Sequence, residues 1–268
     1  MVELTLDRAP LFVIAGPCVI ESAELCLTVA NHVRSVCDKS GIAYVFKASF
    51  DKANRSSNAS FRGPGIDEGL KILDRVKREV GVPVLTDIHE PQQAAIAAQV
   101  VDILQVPAFL ARQTDLLIAC GATGRYVNIK KGQFMSPQEM ANAVQKVRST
   151  GNEKILLTER GTFFGYNRLV NDFTALPIMK SFGVPVVFDV THSTQQPAGL
   201  GTQSGGNPQF SPMLARAACA AGVDGLFLEC HPDPRNAKSD AATMMSLADV
   251  EPLLTSCRQI VDLRKDWR

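Results

Sequence analysis

Short apolar, β-rich runs recur along the chain at residues 11–15, 43–47, 83–87, 103–107, 126–130, 155–159, 185–189 and 225–229. Between them lie stretches with apolar residues at helical spacing, notably 69–80, 91–101, 137–148, 212–221 and a last one over 247–264. Near-continuous apolar strands alternating with helices predict a parallel sheet covered on both faces. Eight such units predict closure into a single (β/α)8, or TIM, barrel over residues 1–268, a length usual for one such domain. Local signals agree: Pro91 and Pro137 stand where first helical turns tolerate proline, and Gly41 and Gly81 follow helical stretches as left-handed stops. An open doubly wound sheet is the alternative. It usually carries a glycine-rich dinucleotide turn after its first strand, and Gly16-Pro17-Cys18 is not one.

Composition narrows the function classes. Hydrophobic residues make up 46% and charged residues 21%, a balance that argues against disorder. The formal net charge of +1, from 28 basic and 27 acidic residues, provides no global field for nucleic acid or an anionic membrane. Any anion must therefore be held locally. No uncharged apolar run approaches the ~20 residues of a bilayer helix. The first ten residues carry Glu3, Asp7 and Arg8 instead of a signal-peptide core, so a cytoplasmic location is expected. Seven irregularly spaced cysteines, with no CxxC pair, predict reduced thiols.

In such a barrel the functional site lies at the carboxyl ends of the strands, and here those ends are polar. Lys47, Lys52, Arg55, Lys130 and Arg160 fall there, which predicts a ligand with more than one anionic group; the alternative for each is pairing with a nearby carboxylate. Asp87, His89, Gln105, Asn128, Lys131, Glu159 and Asp189 lie at the same ends, as do Glu21, Cys230 and His231. A second set, Cys18, His192, Glu229 and Asp240, suits a borderline divalent ion such as zinc, iron(II) or manganese. Structural alternatives compete: Cys18 as a small buried apolar residue, His192 as a core histidine, Asp240 as the cap of a helix beginning at Ala241. Residues 193–208, with Gly199, Gly201, Gly205 and Gly206, read either as a loop closing over substrate or as simple disorder.

Several motifs give a more specific indication. They include Ile14-Ala15-Gly16-Pro17-Cys18, Ile20-Glu21-Ser22, Lys47-Ala48-Ser49-Phe50-Asp51-Lys52-Ala53-Asn54-Arg55-Ser56-Ser57 and Thr86-Asp87-Ile88-His89-Glu90. Further on come Gln105-Val106-Pro107-Ala108-Phe109, Asn128-Ile129-Lys130-Lys131-Gly132-Gln133-Phe134, Leu157-Thr158-Glu159-Arg160-Gly161, Asp189-Val190-Thr191-His192-Ser193 and Ser239-Asp240-Ala241. Over nearly the whole chain these resemble the KDO 8-phosphate synthases. The resemblance implies a transferase of lipopolysaccharide biosynthesis that condenses phosphoenolpyruvate with arabinose 5-phosphate. It also implies that Lys47, Lys130 and Arg160 hold phosphoenolpyruvate, that Asn54, Arg55 and Ser56 take the sugar phosphate, and that Lys52, Asp87 and Gln105 line the cavity. Cys18 resembles the metal-dependent class, where the other class carries asparagine, and this implies one divalent ion on Cys18, His192, Glu229 and Asp240. A homotetramer is implied as well. The rivals are a DAHP synthase-like condensation with erythrose 4-phosphate and an inactive barrel that only binds.

Overall fold

Each strand run is apolar on both faces, yet its alternate residues have different destinations. A computed structural model describes residue 6 and residues 9–54, 57–199 and 204–265. Eight parallel strands close the barrel: β1 (Phe12–Gly16), β2 (Ala43–Lys47), β3 (Val84–Asp87), β4 (Ile103–Val106), β5 (Tyr126–Lys130), β6 (Ile155–Glu159), β7 (Val186–Asp189) and β8 (Gly225–His231). They follow chain order, and β8 returns to β1 with Phe12 opposite Gly225 and Gly16 opposite Glu229. The helices are α1 (Ala23–Ser40), α2 (Ile66–Val80), α3 (Pro91–Ala97), α4 (Thr114–Ala122), α5 (Met140–Arg148), α6 (Ala175–Lys180), α7 (Ser211–Ala221) and α8 (Leu247–Arg264). The barrel expected from the eight runs is the one observed.

Side-chain alternation divides the core in two. Outward residues such as Val13, Tyr44, Phe46 and Val84 join the apolar layer under the helices. Inward residues Phe12, Ile14, Val45, Leu85, Ile103, Leu156, Val187 and Phe227, with Leu6 from the amino-terminal segment, fill the lower barrel. Two residues further along the strands the inward positions become Lys47, Asp87, Gln105, Thr158, Asp189 and Glu229, all buried. On β1 that position is Gly16, where an added Cβ would lie 2.0 Å from the Lys47 carbonyl oxygen. The strands can pack there because glycine has no side chain.

Helix ends differ from the sequence spans by a few residues. α8 is observed as expected, capped by Ser246, and α1 and α2 end at Gly41 and Gly81, both left-handed. α2 starts at Ile66, which packs on the core, ahead of the favourable acidic first turn of Asp67 and Glu68. α3 stops at Ala97, because the chain tightens there: the Val100 and Val101 amides both donate to the Ala97 carbonyl. α5 starts at Met140, after a turn in which Glu139 accepts from the Ser136 amide. No helix begins at Ala241: residues 241–243 form a turn, so Asp240 is not a helix cap. Among the described residues no helix is long and apolar enough to cross a membrane.

Candidate active site

The polar ends of the strands surround a cavity of about 420 Å³, lined among others by Lys47, Lys52, Asn54, Asp87, Gln105, Lys130, Arg160, His192, Glu229 and Asp240. Arg55 and Ser56 lie outside the described residues, as does Gly201. Lys131 and Glu159 pair with each other at 3.6 Å away from the cavity, and His231 faces Glu21 at 3.6 Å. Cys230 is buried against the outer core. All seven cysteines are free and buried, in agreement with reduced thiols.

Most cations in the mouth have carboxylate partners. Lys47 Nζ lies 2.6 Å from Glu229 Oε1 and donates to the Cys18 carbonyl at 2.8 Å. Lys130 Nζ lies 2.5 Å from Asp189 Oδ2 and 4.0 Å from the centroid of the Phe227 ring. Lys52 stands further off, 3.7 Å from Asp87 and 4.0 Å from Glu229. The carboxylate pairing named as the alternative for each cation therefore holds for these three lysines, and the charge of the mouth is nearly balanced among the described residues. Arg160 is different. Its Nη2 donates to Gln195 Oε1 at 2.6 Å, while its Nη1 is buried with no partner among the described residues. A buried guanidinium with an open donor is suited to a carboxylate or phosphate.

Burial alone would raise the carboxyls of Asp87, Glu229 and Asp189, but neighbouring cations outweigh it. Lys52 and Lys47 hold Asp87 well below the ordinary carboxylate range, Lys47 and His192 do so for Glu229, and His192 and Lys130 for Asp189. Asp87 is also placed by hydrogen bonds. Ser49 Oγ donates to its Oδ2, and Gln105 Nε2 donates to its Oδ1 at 2.7 Å. Gln105 accepts from Asn128 at 2.8 Å, and Asn128 accepts from Thr158 at 2.7 Å, so a directional chain crosses four strands beneath the cavity. Sequence reading assigned no role to Ser49, Asn128 or Thr158. The signal was available in the step of two that places Asn128 below Lys130 and Thr158 above Leu156.

A second group forms at one side. Cys18 Sγ lies 2.9 Å from Asp240 Oδ2 and 2.9 Å from Ser239 Oγ. Ligand atoms of Cys18, Glu229 and Asp240 all lie within 4.8 Å of one another. His192 Nε2 faces the same group, 3.6 Å from Glu229 Oε2 and 4.0 Å from Asp240 Oδ2. Burial pushes the Cys18 thiol up, and the nearby Asp240 and Glu229 charges push it further. Glu229 Oε2 is buried without a hydrogen-bond partner among the described residues. Asp240 itself has a left-handed backbone, with φ of 49°. Such strain in a non-glycine residue persists where surrounding contacts hold it and is concentrated at functional sites. A thiol, an imidazole and two carboxylates around an unsatisfied oxygen fit a divalent cation in donor chemistry and position. The four residues predicted as ligands are thus brought together from three strand ends, those of β1, β7 and β8.

Comparison with known proteins identifies the family. The model of the DAHP synthetase I family matches residues 6–265. A Synechococcus protein named 2-dehydro-3-deoxyphosphooctonate aldolase is 57% identical over 259 residues, covering 97% of this chain and 90% of that protein. Proteins of the same name from Rhodopseudomonas palustris and Protochlamydia amoebophila are 56% and 50% identical, over 97% and 96% of this chain and 91% and 93% of their own lengths. With its barrel, polar rim and relatives taken together, this chain belongs to the DAHP synthetase I family, alongside its 2-dehydro-3-deoxyphosphooctonate aldolases.

Proposed function

We propose that the protein condenses phosphoenolpyruvate with arabinose 5-phosphate and water, giving 3-deoxy-D-manno-octulosonate 8-phosphate and inorganic phosphate for lipopolysaccharide biosynthesis. The observation that carries this reading is the meeting at one cavity of an open, buried Arg160 donor, three lysines and a Cys18, Glu229 and Asp240 donor group faced by His192. The relatives' name fits the arithmetic of the reaction. An eight-carbon product needs three carbons from phosphoenolpyruvate and five from a pentose phosphate.

In this reaction C3 of phosphoenolpyruvate forms a bond to the aldehyde carbon, water adds to the positive C2, and the C2 phosphate leaves. The protein must hold two anions side by side against their repulsion and orient C3 on the aldehyde. Arg160, Lys130 and Lys47 take the carboxylate and phosphate of phosphoenolpyruvate. Asn54, which lines the cavity, takes the sugar phosphate together with Arg55 and Ser56, whose positions lie outside the described residues. Asp87, fixed by Ser49 and Gln105, pairs with Lys52 and Lys47 at the cavity. Cys18, His192, Glu229 and Asp240 hold one zinc, iron(II) or manganese ion. When bound, that ion supplies Lewis acidity beside the reacting centre. His192, Lys130 and Lys52 border the same space.

Exposed Phe109, Phe134, Phe163 and Phe164 follow the adjacent strands β4, β5 and β6, which favours burial in a homotetramer. Light scattering tests that assembly. The substrate assignment is tested by phosphate release with arabinose 5-phosphate or erythrose 4-phosphate beside phosphoenolpyruvate. Preference for the five-carbon sugar is expected. Preference for the four-carbon sugar would transfer the protein to DAHP synthesis, and no release with either would leave a binding barrel.

A further inference from the structure

The two functional groups in the cavity are joined by one side chain. Gln195 Oε1 accepts from Arg160 Nη2 at 2.6 Å, and Gln195 Nε2 donates to Asp240 Oδ1 at 3.2 Å. A guanidinium can only donate and an ionised carboxylate can only accept. A side-chain amide faces both, and the two neighbours fix which way round it sits. Asp240 in turn divides its oxygens: Oδ2 faces Cys18 within the metal group, and Oδ1 faces Gln195. The contact sequence is therefore metal group, Asp240, Gln195, Arg160, anion site.

The bridge is anchored at its base. Gln195 follows a tight turn at His192–Thr194 and pairs with Gly206, while the Asn207 amide donates to the Thr194 carbonyl at 2.9 Å. A Cβ on Gly206 would lie 2.2 Å from Thr243 Cγ2, so this short ladder rests directly on the turn that carries Asp240. Neither the metal reading nor the anion reading assigned a role to Gln195.

We propose that Gln195 is a positioning residue that couples occupancy of the metal group to anion binding at Arg160. The inference rests on the phosphoenolpyruvate reading above. Asp240, which would help hold the ion with Cys18, His192 and Glu229, would thereby have its carboxylate fixed in orientation. Fixed Oδ1 holds the Gln195 amide, and the amide holds Arg160 Nη2. Arg160 Nη1, buried and without a partner among the described residues, is then presented to the anion in one orientation. Coupling of this kind is reciprocal, so the anion must tighten the ion by the same factor.

The test is calorimetric titration of phosphoenolpyruvate into chelator-treated and zinc-loaded protein, in the absence of sugar and turnover. Wild-type protein is expected to bind phosphoenolpyruvate on the order of tenfold more tightly when zinc is present, within the usual range of coupling between sites. Gln195→Met, which fills the same space without donating or accepting as an amide does, is expected to retain at most about twofold, a small part of that range. Gln196→Met at the exposed neighbouring position retains the full factor. Gln195→Asn, too short to reach both partners, gives the same loss of coupling and replaces the methionine variant if that one does not fold. Equal coupling in wild type and both Gln195 variants overturns the inference, as does a wild-type affinity indifferent to zinc. A wild-type protein that binds no phosphoenolpyruvate in either form overturns the substrate reading and the inference with it, a pattern distinct from the other two.

Discussion

The lower and upper halves of the barrel are built by the same strands, two residues apart, and they do opposite work. Val45, Leu85, Ile103, Leu156, Val187 and Phe227 fill the lower half with apolar volume. Lys47, Asp87, Gln105, Thr158, Asp189 and Glu229 occupy the next inward layer and fill it with charges and amides. Burying that upper layer is unfavourable unless every group is paired, and most are, by lysine–carboxylate contacts and the chain of hydrogen bonds from Thr158 to Asp87. Among the described residues the buried atoms without a hydrogen-bond partner include Arg160 Nη1 and Glu229 Oε2, which border the proposed anion and metal positions. The difference teaches that the apolar packing is concentrated below, while bonding capacity left open at the cavity above is available to a ligand.

Substitutions on the two levels should separate these roles. The largest effect is expected for Arg160→Met, with kcat/KM for phosphate release lowered by about 10³-fold or more, as when a preorganised electrostatic group is lost. Its unfolding free energy should fall only modestly, because the loss of a buried unsatisfied donor offsets the loss of the hydrogen bond to Gln195. A large loss of stability with activity intact would break the division. Phe227→Ala, one layer down, should lower stability by about 3–5 kcal/mol in denaturant titration. Because Lys130 rests over that ring, some activity should be lost as well. Thr158→Val leaves Asn128 Oδ1 without its donor and should cost about 1–3 kcal/mol. The smallest effect belongs outside the barrel: Arg34→Ala removes an exposed helical pair with Asp38 and should cost about 0.3–0.5 kcal/mol.

The barrel was legible because each strand is apolar on both faces and each helix has a periodic face, so local pattern and global fold point the same way. β2, β5 and β6 coincide with their sequence runs, and β8 extends only two residues further, to His231. Cavity residues were legible too, because barrel geometry converts strand-end position into location. What could not be read was contact across the chain. Cys18 and Asp240 are 222 positions apart, and the Asp240 turn departs from helix because its backbone is left-handed. The lysines looked surplus in one dimension because their partners Asp189 and Glu229 lie on distant strands. Gln195 carried no local signal at all, since its meaning comes from standing between Arg160 and Asp240.

The measurement closest to the central claim is metal content and arabinose 5-phosphate-dependent phosphate release, followed together as a divalent ion is returned to chelator-treated protein. Release should vanish on chelation, return in proportion to bound ion and saturate near about one ion per chain, the stoichiometry of a single mixed thiolate, imidazole and carboxylate site. Full release from protein shown to be free of metal would contradict the account and reduce Cys18 and its neighbours to packing.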